Sequence, residues 1–181
     1  MNDATLVAQA QECGMADEDR TWVADMFEAH HQRLAAYAAG LLGGDRAAAV
    51  DCVQETFLRL CRQRRAGVES YVQAWLFRTC RNLAIDHLRR SKRMTQTESI
   101  EWIGDTRGAT DPGSRVAEAD ELQRCSQAIA CLPPQQQEVL QLRLNHGLSY
   151  KQISDVTGLT VNHVGVTLHQ AVQRLRAVLA T

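Results

Sequence analysis

The sequence predicts an all-α protein with two small helical domains joined by a flexible linker, the C-terminal one a helix-turn-helix. Three observations support this fold class. Apolar residues recur every three or four positions over most of the 181 residues. Only three prolines occur, and no alternating β-branched run typical of strands is present. A segment rich in Thr, Ser, Gly and Asp interrupts the periodicity. We therefore divide the chain into a weakly ordered N-terminus (residues 1–20), a first domain (21–93), a linker (94–114) and a second domain (115–181).

The first domain is expected to open with a helix from Thr21 to Leu42. Its inward stripe is formed by Phe27, Leu34, Tyr37, Ala38 and Leu41. Gly43 and Gly44 then stop the helix, and Asp45 is a natural N-cap for the next one.

The second helix is expected from Asp45 to Arg64. Its buried stripe is predicted to be Val50, Val53, Phe57 and Leu60. On an exposed face, Asp51, Glu55 and Arg59 follow one another at four-residue spacing. Such spacing suits ion pairing along a helix, which contributes only about 0.2–0.5 kcal/mol per pair. It also suits an acidic docking surface for a basic partner, and both interpretations stay open.

A short loop from Arg65 to Ser70 should then lead into the longest helix, Tyr71–Arg93. One face of this helix is apolar, with Val72, Leu76, Cys80 and Leu83. The other face carries Trp75, Arg78, Asn82 and Arg89, and the helix ends in cationic residues. Guanidinium groups, an amide and an aromatic ring together suit phosphates, base edges and base stacking. The alternative is an ordinary amphipathic helix with a solvated charged face.

The second domain should contain four helices. The first is expected over Arg115–Cys131, with Val116, Ala119, Leu122, Cys125 and Ile129 as its apolar residues. Pro134 fits the first turn of the next, Gln135–Asn145. Ser149 should cap a short helix, Tyr150–Val156, and Thr160 a final one, Val161–Ala180, after the tight turn at Gly158. The predicted inner face of the final helix is Val161, Val164, Leu168, Val172, Leu175 and Leu179. A short helix, a glycine turn and a longer helix are typical of a helix-turn-helix.

Composition narrows the possible functions. The formal net charge of −1 argues against a nucleic-acid binder, but the bases are concentrated between Arg59 and Arg93. Glycine-rich phosphate loops and the G-x-S-x-G and H-E-x-x-H motifs are absent, so we expect no enzyme. The six cysteines form no C-x-x-C pair, which favours small buried hydrophobes over a metal site or a cofactor. Without a signal-like or membrane-spanning apolar run, we expect a cytoplasmic protein and no membrane insertion.

Three motifs occur in a characteristic order: VQETFLRL, AWLFRTCRNLAIDHLRR and LPPQQQEVLQLRLNHGLSYKQISDVTGLTVNHV. Together they resemble the bacterial RNA polymerase sigma factors of the extracytoplasmic-function (ECF) group of the sigma-70 class. The resemblance implies two partners, core RNA polymerase and promoter DNA, and makes an anti-sigma protein a plausible third. A polymerase-independent helix-turn-helix regulator is the alternative, although such a regulator has no need of the first two motifs.

The resemblance also implies site residues. The polymerase would be bound by Asp51, Gln54 and Glu55. A separated strand of the −10 element would be read by Glu69, Ser70, Tyr71, Trp75, Arg78 and Asn82. Phosphates of the flanking duplex would be held by Arg89, Arg90, Lys92 and Arg93. The −35 element would be read by Thr160, Asn162, His163, Gly165, Thr167, Gln170 and Arg174.

The final helix departs from the family pattern, because it carries no Lys or Arg before Arg174. Asn and Gln suit adenine, and Thr suits the thymine methyl group. We therefore expect a weak, A·T-leaning −35 readout, with most selectivity on the −10 side. Gly165, which costs about 1 kcal/mol relative to Ala in a helix, is the residue that would allow the backbone to sit deep in the groove instead.

Overall fold

The structure, a computed structural model, describes residues 16–94, with side chains up to Ser91, and residues 124–179. These ranges belong to two compact units, Met1–Glu98 and Ser99–Thr181. All regular elements in the two described ranges are helical, which confirms the all-α prediction. The predicted linker, residues 94–114, lies outside them except for Met94, which ends a helix.

Helix α1 runs from Asp17 to Leu41 and so begins one turn earlier than predicted. Its first turn contains three carboxylates, Asp17, Glu18 and Asp19, which interact favourably with the positive end of the helix dipole. Residues 17–20, which the prediction assigned to the N-terminal segment, are therefore helical, and residues 1–15 lie outside the described part. The predicted inward stripe is confirmed, since all five of its residues are buried.

Helix α2 runs from Arg46 to Cys61, and Asp45 caps it by accepting a hydrogen bond from the Ala48 N–H at 3.0 Å. It ends three residues before the predicted Arg64. The prediction that Val50 is buried is wrong, because its side chain is 42% exposed. The buried side of α2 instead includes three small residues, Ala49, Cys52 and Thr56. They lie beside the predicted Val53, Phe57 and Leu60.

The segment predicted as a loop is helical. Helix α3 spans Arg65–Val68, and a 3-10 turn follows at Glu69–Tyr71. Val68 is 3% exposed and anchors this segment to the domain, whereas all three residues of the 3-10 turn are exposed. The turn is thus held at a fixed place on the surface.

Helix α4 runs from Val72 to Met94 and packs on α1 and α2. Leu76 and Cys80 are fully buried as predicted, but Val72 and Leu83 are only half-buried. Phe77 takes a central place instead, with its ring edge-to-face on Tyr37 at 5.3 Å. Because aromatic pairs of this geometry add to area burial, they help fix the position of α4 and hence of its outer face.

The second unit contains a helical stretch at residues 124–130, then α5 (Pro134–Leu144), α6 (Tyr150–Thr157) and α7 (Val161–Leu179). The local signals are confirmed: Pro134 lies in the first turn of α5, Ser149 caps α6 with a capping box, and Gly158 adopts a φ of 79°. The predicted helix over residues 115–123, with Val116, Ala119 and Leu122, lies outside the described residues.

Helix α7 packs on α5 and α6 along a stripe that is rotated from the predicted one. Val164 and Leu168 are buried as expected, and Thr167 and Ala171 are buried beside them. Val161, Val172 and Leu179 were predicted to face inward and are 47%, 37% and 46% exposed. For Val172 and Leu179 the physical reason is that no described element covers α7 beyond Ala171, where its described residues are exposed or half-buried.

Cysteine burial agrees with the prediction only in part. Cys52, Cys61 and Cys80 are buried, whereas Cys131 is exposed and Cys125 half-buried. Burial raises the pKa of the Cys80 thiol to about 12, with the neighbouring Cys52 adding to the shift. Among the described residues, no group of His, Cys, Asp and Glu side chains could hold a metal ion, and no helix is both long and apolar enough to cross a membrane.

Candidate functional site

The outer face of α2 carries the residues expected to bind the polymerase. Asp51 is exposed, and Gln54 and Glu55 are half-exposed. The Glu55 carboxylate accepts a hydrogen bond from Arg59 Nε at 2.9 Å, so the ion-pair interpretation holds for this pair. Asp51 forms no ion pair with any described side chain, so no described cation pairs with its charge. The face therefore retains a net acidic character in which Asp51 contributes most.

The 3-10 turn presents the residues expected to begin −10 recognition. Tyr71 is 48% exposed, and Glu69 and Ser70 are also at the surface. The Glu69 carboxylate is not free, because its Oε1 accepts two hydrogen bonds from Arg65, from Nε at 3.1 Å and from Nη2 at 2.7 Å. Sequence reasoning missed Arg65, and the only signal for it was the four-residue spacing from Glu69.

The outer face of α4 continues the surface of the 3-10 turn. Arg78 and Asn82 are exposed and Trp75 is half-exposed, on one side of the helix as predicted. Neither the Arg78 guanidinium nor the Asn82 amide bonds to another described residue. Farther along, Arg89 Nη1 lies 3.5 Å from Asp86 Oδ1. Base stacking, amide readout and phosphate binding are therefore available within one stretch of α4.

The cationic end of α4 is described only in part. Arg89 and Arg90 are exposed, while the side chains of Lys92 and Arg93 lie outside the described part of the structure. Asp86, which the sequence interpretation left aside, places a negative charge beside Arg89. It lowers the net positive charge at that point of the face.

The first turns of α7 present Thr160, Asn162 and His163 at the surface. Thr160 caps the helix by accepting a hydrogen bond from the His163 N–H at 3.2 Å. Thr167 is only 3% exposed, so the expectation that it reads the −35 element is corrected. It lies on the stripe that packs against the rest of the second unit, where a DNA base cannot reach it.

Two further residues expected to read the −35 element are tied to α5. The Gln136 amide donates to Gln170 Oε1 at 3.3 Å and accepts from Arg174 Nη1 at 3.2 Å. Gln136 itself is 6% exposed, so a single buried amide holds both side chains. Sequence reasoning could not find this network, because 34 and 38 positions separate its partners along the chain.

Gly165 has a neighbour that explains its position. A Cβ atom built on Gly165 would lie 3.7 Å from Cε2 of Tyr150. The Arg143 guanidinium carbon lies 5.5 Å from the centroid of the same ring, and Arg143 Nη1 donates to the Leu148 carbonyl at 2.9 Å. The Tyr150 ring thus lies beside the open side of Gly165, which weakens the idea that this glycine serves close approach to DNA.

Comparisons with known proteins agree with this arrangement. The model of Sigma-70 region 2 matches residues 26–94, and that of Sigma-70, region 4 matches residues 122–175. Among curated proteins, ECF RNA polymerase sigma factor SigL of Mycobacterium tuberculosis is 31% identical over 172 residues, covering 94% of this chain and 96% of SigL.

Two further relatives are of the same kind. ECF RNA polymerase sigma factor SigM of Bacillus subtilis is 31% identical over 74% of this chain and 80% of its own length. ECF RNA polymerase sigma factor BldN of Streptomyces coelicolor is also 31% identical, over 75% of this chain but only 52% of BldN. The chain therefore spans about half of BldN and nearly all of SigL. Since both regions match in order within one chain, a polymerase-independent regulator is not favoured, and the chain belongs to the sigma-70 family of RNA polymerase sigma factors, in its extracytoplasmic-function group.

Proposed function

We propose that this sigma factor binds core RNA polymerase through the outer face of α2 and directs initiation at promoters whose −10 element it reads as a separated strand. It would act in the cytoplasm, where core polymerase and promoter DNA meet. The observation that carries the proposal is the continuous surface formed by the 3-10 turn at Glu69–Tyr71 and the outer face of α4. It offers a carboxylate, a phenol ring, an indole ring, a guanidinium and an amide in sequence.

Recognition of an unpaired base needs this combination. A base that has left the duplex stack loses stacking energy, which an aromatic side chain restores at about 1–3 kcal/mol per base. Its exposed Watson–Crick edge is then read by hydrogen bonds. Tyr71 and Trp75 supply the stacking surfaces, and Asn82 supplies an amide with two donors and an acceptor. Arg78, Arg89 and Arg90 would hold the flanking phosphates, which positions the strand without selecting its sequence.

The −35 element would be read by fewer groups than the family pattern implies. Asn162 and His163 are available at the start of α7, and Thr167 is not. Val166 is 46% exposed and is the apolar side chain suited to contact a thymine methyl group in place of Thr167. Arg174, the first Lys or Arg in α7, donates a hydrogen bond to Gln136. These features support a weak, A·T-leaning −35 readout.

Binding to core polymerase is tested by Glu55→Lys in the full-length chain. The substitution reverses the charge on the outer face of α2 and places a second cation beside Arg59. We expect loss of core binding while the free energy of unfolding changes by about 0.5 kcal/mol or less, as is usual for exposed positions. Affinity for core polymerase and a urea unfolding curve measure the two quantities.

Glu28→Lys is the matched control, because Glu28 is an exposed carboxylate on α1 and undergoes the same charge change. It should leave core affinity unchanged. A folded Glu55→Lys protein that binds core polymerase as tightly as the parent would show that α2 docks elsewhere or not at all.

A further inference from the structure

Arg65 occupies a position that none of the proposed DNA or polymerase contacts explains. It is the first residue of α3, and its guanidinium grips Glu69, the first residue of the 3-10 turn, through two hydrogen bonds to one carboxylate oxygen. Two charge-assisted bonds from one planar group to the same oxygen fix the position of Glu69 Oε1 relative to Arg65. The pair joins the turn to the helix that precedes it.

The same guanidinium is held from a second side by α1. Its central carbon lies 5.7 Å from the centroid of the Trp22 ring, and Trp22 is only 8% exposed. A guanidinium over an indole face is a favourable cation–π arrangement. Glu18 and Asp19, in the first turn of α1, add favourable charge at Arg65. Arg65 thus connects the exposed turn to a fixed element of the domain.

This arrangement leaves one half of the Glu69 carboxylate available. Both bonds from Arg65 end on Oε1, and Oε2 accepts no hydrogen bond from any residue in the range 16–94 whose side chain is described. The Glu69 side chain is 50% exposed. A carboxylate accepts hydrogen bonds and donates none. Held at the turn through Oε1, it therefore favours a base that presents an exocyclic amino group to Oε2, such as N4 of cytosine, which Glu and Asp read in duplex DNA.

We propose that Arg65 is a positioning residue for base recognition: seated on Trp22, it orients the Glu69 carboxylate so that the turn selects an unpaired base carrying an exocyclic amino group. The inference rests on the proposed reading of the −10 element by the Glu69–Asn82 segment. It goes beyond that proposal by naming a residue that makes no DNA contact and by naming the chemical class of the selected base.

The competing interpretation is that Arg65 binds a DNA phosphate directly. Loss of a phosphate contact weakens binding to all sequences alike, whereas loss of a positioning contact changes which base is preferred. The chain offers a matched control for this difference. Arg64 is exposed and lies next to Arg65, and its side chain forms no hydrogen bond or ion pair with a described residue.

The test is in vitro transcription by the full-length chain with core polymerase on a promoter library randomised through the −10 element. We expect Glu69→Gln to reduce the preference for an amino-bearing base at one −10 position by roughly tenfold, within the range of a good base contact. Arg65→Gln should reduce the preference at the same position, and Arg65→Gln combined with Glu69→Gln should lose no more than Glu69→Gln alone. Arg64→Gln should leave the base preference at that position unchanged.

A second variant guards against failure of Arg65→Gln to fold. Arg65→Lys keeps the charge but cannot form the two-bond fork, so it should also lose base preference while a circular dichroism melt stays close to that of the parent. If Glu69→Gln shifts the preference and the two Arg65 variants leave it unchanged, this inference is overturned and the proposed reading of the −10 element survives. If neither Glu69→Gln nor Asn82→Ala shifts it at any position, both fail together.

Discussion

The two helices proposed to face DNA differ in how many of their polar side chains are free of hydrogen bonds to the protein. On α4, Arg78 and Asn82 are exposed and form no hydrogen bond with another described residue. On α7, Thr167 is buried, and Gln170 and Arg174 are bonded to the buried Gln136. A helix can thus have the length and position of a recognition helix while its side chains serve the packing of its own domain. Counting polar residues on α7 overstates its capacity to read DNA.

The largest expected difference is between Asn82→Ala and Gln170→Ala. We expect Asn82→Ala to lose discrimination at one −10 position by about 1–3 kcal/mol, the range of a bidentate amide contact. Gln170→Ala should change preference at the −35 element by less than about 1 kcal/mol, below that range, because its amide oxygen is already engaged. Selection from a promoter library by the holoenzyme measures both.

Arg90→Ala is the control for the Asn82 result, because a phosphate contact should weaken all sequences alike. Equal losses of discrimination in Asn82→Ala and Gln170→Ala would remove the contrast between the two helices. An unchanged −10 profile in Asn82→Ala would show that α4 reads the promoter through other residues.

The Gln136→Met substitution tests the same difference on α7, because it removes the hydrogen bonds that engage the polar side chains of this helix. Met has a similar length and no hydrogen-bonding amide, so Gln170 and Arg174, which are both exposed, lose their hydrogen bonds to position 136. We expect a loss in the free energy of unfolding of about 0.5–1.5 kcal/mol, as for a typical hydrogen bond. The released Arg174 should steepen the salt dependence of −35 duplex binding by about one phosphate contact.

Affinities of the holoenzyme for −35 duplexes at several salt concentrations measure that change. Gln135→Met is the matched control, since Gln135 is exposed and bonds to no described residue. A salt slope that stays at the parent value in Gln136→Met would mean that Gln136 does not withhold Arg174 from DNA.

The smallest expected effect is that of Gly165→Ala. The new methyl group would meet Tyr150 at an ordinary contact distance of 3.7 Å. We therefore expect the second unit to gain about 0.5–1 kcal/mol of helix stability, with −35 preference unchanged. Reduced −35 binding in this variant would show that Gly165 does serve close approach to DNA. Gly158→Ala, at a φ of 79°, is the opposite control and should destabilise the same unit.

Helix caps and helix starts were predictable from the sequence. Which helix faces are buried by distant elements was not. Asp45, Pro134 and Ser149 act within a few residues of their own positions, so their roles as caps or helix starters follow from neighbouring sequence. Val50 and Val172 were placed in the core because they are apolar. Which side of an amphipathic helix is covered depends on where its partners end, which sequence spacing does not contain.

The candidate site shows the same division. The exposed face of α4 followed from helical periodicity alone, and its residues were found where expected. The pair of Arg65 and Glu69 follows from four-residue spacing, but the contact of Arg65 with Trp22 joins residues that lie far apart in the chain. The burial of Thr167 likewise depends on how α7 packs. From the sequence, a hydroxyl residue on a recognition helix suggests a base contact. In the folded protein, the same residue can be part of the core.

The reactivity of the buried Cys80 thiol can be used to measure how often the first unit opens transiently. Cys80 has no exposed surface, and its pKa of about 12 leaves almost no reactive thiolate at neutral pH. An alkylating reagent can therefore modify it only while the first unit is transiently open, so the rate of modification reports the free energy of that opening. Cys131, exposed in the second unit, reacts without any opening. Pulse labelling followed by mass spectrometry would time the opening of the first unit in the unmutated protein, both before and after it joins the polymerase.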